Sequence, residues 1–385
     1  MRHDVQLRLA KEIFAHLDAG TTDLADEICR HPVSSYTDHA RLEREIGVLF
    51  RRYPLLMGMS CRIPKPGDYL TDDYSGIPIL LVRGEDGRVR AFYNVCRHRG
   101  ARVAEGCGNR PQLFVCPFHG WSYDLAGRLR EIPDERSFPG VERERSGLVP
   151  LPAAERHGLL WVQPALGQDG LELDPARHLG ELDPEIAAYG FERYHHYETR
   201  VLQQRMNWKL VIDTFLEPYH LGELHRNTVA TIFEPNVCLF HPFGRHLREI
   251  LPRRSFRALR ERPERDWDLI AHSVIVYVLF PNTVFVIQAD HAETWRVYPW
   301  QNRADECVMV LDFFVPEPAT TDSARRHWEK NMDLTIRTVR DEDFPTGEGI
   351  QRGFASGAQT HVTYGRNEPA LAYFERTVAA ELEAG

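Results

Sequence analysis

Four side chains with metal-binding chemistry fall in two short clusters, Cys96-Arg97-His98 and, after seventeen intervening residues, Cys116-Pro117-Phe118-His119. Each cluster offers one thiolate and one imidazole, and two such pairs on tight loops suit either one tetrahedral zinc or a two-iron cluster. Spacing separates the two. A zinc finger uses paired cysteines followed by paired histidines, whereas Cys-x-His and Cys-x2-His loops each give a thiolate to one iron and an imidazole to the other. A second group follows Asn207-Trp208-Lys209, where His220 and His225 stand five residues apart. On a regular helix five steps of about 100° leave them roughly 140° apart. Both face one ion only if the helix is widened or broken between them, which Gly222 eases. Late in the chain Asp341-Glu342-Asp343 adds carboxylates that by themselves read as solvated charge.

Val95-Cys96-Arg97-His98-Arg99-Gly100 and Cys116-Pro117-Phe118-His119-Gly120-Trp121 resemble the Rieske family, and specifically the Rieske oxygenases. The resemblance implies a 2Fe-2S cluster with Cys96 and Cys116 on the inner iron and His98 and His119 on the outer one. Phe118 and Trp121 interrupt the pattern of respiratory Rieske proteins, so Cys107 has no evident disulfide partner. A potential-raising hydroxyl is then expected to be missing, which implies a low-potential relay. Asn-Trp-Lys, the acidic residues and Tyr-His-x4-His resemble the iron-binding segment of the family's catalytic domain. There two histidines and a distant carboxylate form a facial triad that leaves positions open on Fe(II). By this resemblance His220 and His225 are ligands, and counting back eight residues from Gln351 selects Asp343, with Asp341 and Glu342 as the alternatives. Glu217 takes the place of an aspartate that, in the family, links one subunit's iron-ligand histidine to the neighbour's Rieske histidine. Asp213, one turn earlier, is a candidate residue near the iron.

The resemblance covers essentially the whole chain after about residue 45. It implies an α+β chain: a Rieske iron-sulfur β-domain and a helix-grip (START-like) catalytic domain with a seven-stranded antiparallel sheet flanked by helices. The expected division is 1–54, a helical segment packing on the catalytic domain; 55–164, the Rieske domain; and 165–385, the mononuclear iron domain. The implied activity is that of a terminal oxygenase using O2 and mono- or dihydroxylating an aromatic substrate. The alternative within the class is a monooxygenase or demethylase of a small non-aromatic, methoxy or N-methyl substrate. Outside the class stand a non-catalytic Rieske electron carrier with a ligand-binding domain and a structural zinc protein. No strand, Gly-rich turn and helix form a nucleotide site, so NAD(P)H and flavin are expected only on a partner reductase, with or without a ferredoxin. A homotrimer is expected, and a separate beta subunit stays open.

The elements that must carry these residues are legible in part. Residues 5–52 read as two or three amphipathic helices, ended by Pro54. From Arg62 to about Pro164, short apolar runs between turn dipeptides predict strands and tight loops. Residues 165–190 read as a connector. Helix period is expected from Asn207 to about Arg226, near Ser255–Leu269, at Thr321–Arg340 and at Pro369–Glu383. Ser273–Phe280, Val284–Gln288, Glu293–Pro299 and Cys307–Val315 predict antiparallel strands, with Pro281-Asn282-Thr283 as a hairpin break, lining a mostly apolar pocket.

With 47 basic and 56 acidic residues the net charge is −9, which argues against general affinity for nucleic acid or anionic lipid. The most basic stretch holds Arg245, Arg248, Arg253, Arg254, Arg257, Arg260, Arg262 and Arg265, but acidic residues interleave with it and a salt-bridged face is the expectation. The longest nearly apolar run, Val274–Phe280, is too short to span a bilayer. Seven scattered cysteines and a charged amino terminus without a signal-peptide pattern imply a cytoplasmic address, with Cys29, Cys61, Cys238 and Cys307 as small core residues.

Overall fold

Long stretches of Val, Ile, Phe and Trp between residues 239 and 315 cannot stay in water, and they pair with one another edge to edge. In the computed structural model, which describes residues 1–165 and 172–385, they form most of a seven-stranded antiparallel sheet. Its order is His195–Gln204, Cys307–Val315, Ala292–Pro299, Thr283–Ile287, Ser273–Leu279, His246–Pro252 and Leu239–Phe243. The four expected strands are present. The first strand and the hairpin at 239–252 complete the sheet without having been read from the sequence's periodicity. The fold class is therefore the expected one.

This sheet belongs to a unit made of residues 1–49, 179–190 and 194–385; residues 50–178 and 191–193 form the other. In the first unit the helices Trp208–Asp213, Asp322–Thr338, Phe344–Ala355 and Pro369–Ala384 accompany the sheet. Their starts are chemically marked. Asn207 accepts a hydrogen bond from the Lys209 amide and Thr321 one from Ala324, each a cap worth about 1 kcal/mol. The Asn-Trp-Lys run proves to be an anchor. Trp208 Nε1 and Lys209 Nζ donate to the two oxygens of the buried Glu45 at 2.9 and 2.7 Å. Removing either partner of such a buried pair costs about 3–5 kcal/mol.

Several expectations need correction. The helix expected from Asn207 to Arg226 stops at Asp213, because Pro218 lacks a donor and restricts Glu217 before it. A 3₁₀ turn, Tyr219–Gly222, and open turns follow. The Arg-rich helix near Ser255–Leu269 is instead a pair of 3₁₀ segments, Arg254–Glu261 and Glu264–Asp266, split by Pro263. Many of its arginines are paired, among them Arg257 with Glu234 and Arg260 with Asp18. The strands Cys29–Pro32 and His361–Tyr364, which pair with each other, were not expected. Cys238 and Cys307 are buried as expected, whereas Cys29 and Cys61 are only half-buried.

The second unit is β-rich. A five-stranded sheet ordered Pro150–Leu151, Val89–Tyr93, Ile79–Arg83, Asp68–Asp72 and Cys107–Asn109 accompanies two three-stranded sheets. One of these pairs Leu113–Val115, Ser122–Asp124 and Leu129–Glu131, and its first hairpin carries the 116–121 loop. The connector expected over 165–190 overlaps residues 166–171, which lie outside the described residues; short helices Pro175–Leu179 and Asp183–Ala187 follow. Among the described residues no helix is long and apolar enough to cross a membrane.

Candidate metal centres

The two cysteine-histidine loops of the β-rich unit are built alike by their backbones. The Cys96 amide donates to Ala101 and the Cys116 amide to Trp121, both at 2.8 Å. The Gly100 and Gly120 amides return to the cysteine carbonyls at 2.9 and 3.0 Å. Both glycines have positive φ, 83° and 76°, which lets each loop turn back on itself. The cysteines lie inside, 3% and 2% exposed, in an apolar cluster with Phe92, Phe114 and Tyr123. His119 is exposed and His98 half-buried, their rings 4.6 Å apart. His98 stacks flat on Trp121 at 5.0 Å. Burial, with His119 and Arg99 beside it, lowers the His98 pKa, keeping the ring neutral and able to bind metal. Among the described residues these four do not gather three or more donors within 4.8 Å of one another, as one zinc would require. An inner thiol pair beneath an outer imidazole pair fits a two-iron cluster. The expectation that no hydroxyl reaches the cluster site is corrected: Tyr123 places its hydroxyl 3.3 Å from Cys96 Sγ and accepts the Arg97 amide at 2.9 Å. Cys107 is exposed and free, as expected.

In the other unit, His220 sits in the 3₁₀ turn and His225 in the turn beyond it, so the helix break removes the 140° problem. Their rings stand 5.0 Å apart. Asp343 arrives at the end of a π-helical turn, Val339–Asp343, joining the helices Asp322–Thr338 and Phe344–Ala355. The extra residue of such a turn shifts the helix phase and is frequent at functional sites. Asp343 Oδ1 lies 3.6 Å from His220 Nε2 and 3.2 Å from His225 Nε2, and the three donors fall within 4.8 Å of one another. His220 Nδ1 bonds Glu217 at 2.5 Å, and His225 Nδ1 bonds Glu342. These carboxylates accept from the Nδ1 atoms and leave both Nε2 atoms facing Asp343, the side on which a metal would be held. Glu342 thus backs a histidine instead of facing the site, and Asp341 turns away to pair with Arg340 at 2.7 Å. Burial pulls the His225 pKa down, but Asp343 and Glu342 more than reverse this, and the net shift is upward. Asp343 Oδ1 is buried without a hydrogen-bond donor. Two imidazole nitrogens, one carboxylate oxygen and this excess of negative charge fit a mononuclear ferrous ion.

Asp213 is not one of the three convergent donors. It accepts a hydrogen bond from Tyr36 at 2.8 Å, and Tyr36 meets the Tyr364 hydroxyl at 2.5 Å. Burial, with Glu375 nearby, pushes the Asp213 carboxyl well above the ordinary range. It lines a cavity of about 210 Å³ that also reaches His220 and Asp343. A larger cavity of about 380 Å³ opens on the triad, bounded by Phe215, Leu221, Val276, Val286 and Trp295. The expected apolar pocket is there, but its wall also carries Arg253, Gln288, Asp290, His291 and Glu293, which sequence reasoning did not place in it.

Residues 55–145 match the family model "Rieske [2Fe-2S] domain", and 191–384 match "Ring hydroxylating alpha subunit (catalytic domain)". The chain belongs to the Rieske oxygenase alpha subunits. The family's 2Fe-2S and non-heme iron domains are thus both present. The biphenyl 2,3-dioxygenase alpha subunit of Rhodococcus jostii is 35% identical over 301 residues, 75% of this chain and 61% of that one. The carnitine monooxygenase oxygenase subunit of Escherichia coli K12 is 31% identical over 345 residues, 84% of each chain. The chain spans 61% of the biphenyl relative's length and 44–46% of the glycine betaine monooxygenase subunits it also matches. In fold it is similar to a quaternary ammonium Rieske monooxygenase in complex with L-carnitine, with a TM-score of 0.78, 21% identity and coverage of 92% and 96% of the two chains.

Proposed function

We propose that the chain is the terminal oxygenase component of a multi-component Rieske oxygenase, acting on a small organic substrate with O2 and electrons from a separate NAD(P)H reductase, directly or through a ferredoxin. One observation carries this reading: both Nε2 atoms converge on Asp343 beside a cavity of about 380 Å³, while Glu217 and Glu342 hold the far side of each ring. Iron held by His220, His225 and Asp343 would supply dioxygen reduction, and a cluster held by Cys96, His98, Cys116 and His119 would supply the electrons. The chain's own part is to orient and to exclude water. Glu217 and Glu342 fix the tautomers and tilt of the imidazoles. Phe215, packed on Trp295 at 5.3 Å, and the valines keep the cavity apolar beside the triad.

An aromatic ring suits the slot between Trp295, Phe215 and the valines. A second reading, a small N-methyl substrate, is favoured by the carnitine relative that matches over 84% of both chains. A homotrimer, in which Glu217 faces a neighbour's cluster, belongs to the same proposal, as does a cytoplasmic address, supported by the seven free thiols. Metal analysis of the purified chain tests the core of it. About three irons per chain with Rieske absorption are expected, and three irons still bound after anaerobic ferrous loading of the Asp343→Ala variant would overturn the triad.

A further inference from the structure

The larger cavity has two characters. On the sheet face that floors it, Leu251 pairs with Val274, Val276 with Val286, and Val286 with Glu293, so alternate residues share the lining. Two positions beyond Leu251 and Val286 the same rows end in Arg253 and Gln288. Trp295, two positions the other way from Glu293, meets Phe215 on the triad's side. Thr335 bonds Glu293 at 3.1 Å, and Asp343 follows eight residues later, beyond the end of Thr335's helix and at the end of the π-helical turn. The polar row-end and the triad therefore occupy different ends of one cavity.

Arg253 is poorly compensated there. Its Nη2 donates to Gln288 Oε1 at 2.7 Å, its Nε is buried without an acceptor, and no carboxylate of the described residues lies within 4.0 Å of its guanidinium. Burial lowers its pKa, with Asp290 alone acting against this. The neighbouring acids are already engaged. Asp290 takes His291 Nδ1 and His327 Nε2, both at 2.8 Å; Glu293 takes His291 Nε2 at 3.0 Å and Trp295 Nε1 at 2.9 Å. A half-buried guanidinium with a free donor edge is costly unless an anion meets it, and its planar fork matches a carboxylate.

Resting on the oxygenase reading, we propose that the substrate is an organic carboxylate whose carboxylate is bound by Arg253, oriented by Gln288, at the end of the cavity away from His220, His225 and Asp343. The rest of the molecule then lies along Val276, Val286 and Trp295, with its oxidisable carbon toward the triad.

Calorimetry on the purified full chain, without reductant, tests this with three matched pairs: benzoate and benzamide, 3-phenylpropionate and 3-phenylpropionamide, and γ-butyrobetaine and its amide. In at least one pair the acid is expected to bind about tenfold or more tightly than the amide. Arg253→Gln removes that preference and Arg253→Lys keeps part of it. Arg257→Gln, whose guanidinium is exposed and paired with Glu234 at 2.7 Å, leaves it intact. The proposal is overturned if no acid outbinds its amide, or if the preference survives in a folded Arg253→Gln variant. Because no turnover is involved, a chain that prefers acids yet binds no iron at the triad would sink the oxygenase reading alone.

Discussion

At Cys96–Ala101 and Cys116–Trp121 each thiol and imidazole share one short loop closed by backbone hydrogen bonds, whereas Asp343 reaches His220 and His225 from a distant part of the chain. The first centre buries its thiols beside one exposed and one half-buried imidazole. The second buries His225 and Asp343, 2% and 5% exposed, leaves His220 half-buried, and backs each ring with a carboxylate. The difference matches the tasks proposed for them: a relay must keep an edge near the surface, and a site that handles oxygen must exclude water. It also implies that either centre can be lost while the other stands.

The sharpest way to break this contrast is a crossed pair of variants. His225→Ala is expected to abolish product formation while visible and electron-paramagnetic spectra of the cluster persist, and Cys116→Ser to abolish both cluster and turnover while ferrous titration still finds the triad. If either change removes both metals, the centres are not independent. Next in size, Glu342→Gln keeps the shape but weakens the hold on His225 Nδ1. Iron affinity or turnover should fall about 10- to 100-fold, and unchanged ferrous binding would show that the carboxylate is not needed. Smaller still, Tyr123→Phe deletes the hydroxyl beside Cys96. Losing one net hydrogen bond of about 1 kcal/mol should lower the one-electron potential by roughly 40–60 mV, read by redox titration. The least effect concerns the cavity's far wall. Burial lowers the His291 pKa, but Asp290 and Glu293 raise it to a net upward shift. The ring's stabilisation is therefore complete below its unfolded pKa of about 6.5 and is lost as pH rises through the folded value. The melting-temperature gap between the native chain and His291→Gln should be widest in mild acid and narrow on the alkaline side; a gap that widens with pH would reverse the assignment.

The same contrast explains what could be read from the chain. The loop donors were legible because their geometry depends on adjacent residues and two glycines. Tyr123 was not, since its hydroxyl reaches Cys96 only through the register of the hairpin, where Tyr123 stands opposite Phe114. His220 and His225 were found by type and spacing, and the break between them by Gly222, although Pro218 had already ended the helix. Among three consecutive acids, only the π-helical turn separates the inward Asp343 from Glu342 behind His225, and a one-residue change of phase leaves no mark in helical periodicity. The strand His195–Gln204 escaped notice because its exposed, polar residues hide the alternation. Arg253 stood in a stretch read as a salt-bridged face and Gln288 in a strand read as apolar lining, and only the fold brings the two into hydrogen-bond contact.

Glu342 and Asp343 are consecutive residues that address opposite nitrogens of one imidazole. A ring gripped in this way cannot tilt without carrying the peptide between its two holders, and behind that peptide runs the helix whose Leu334, Thr335 and Thr338 wall the larger cavity. The grip ties the orientation of His225 to the same run of chain that forms this wall.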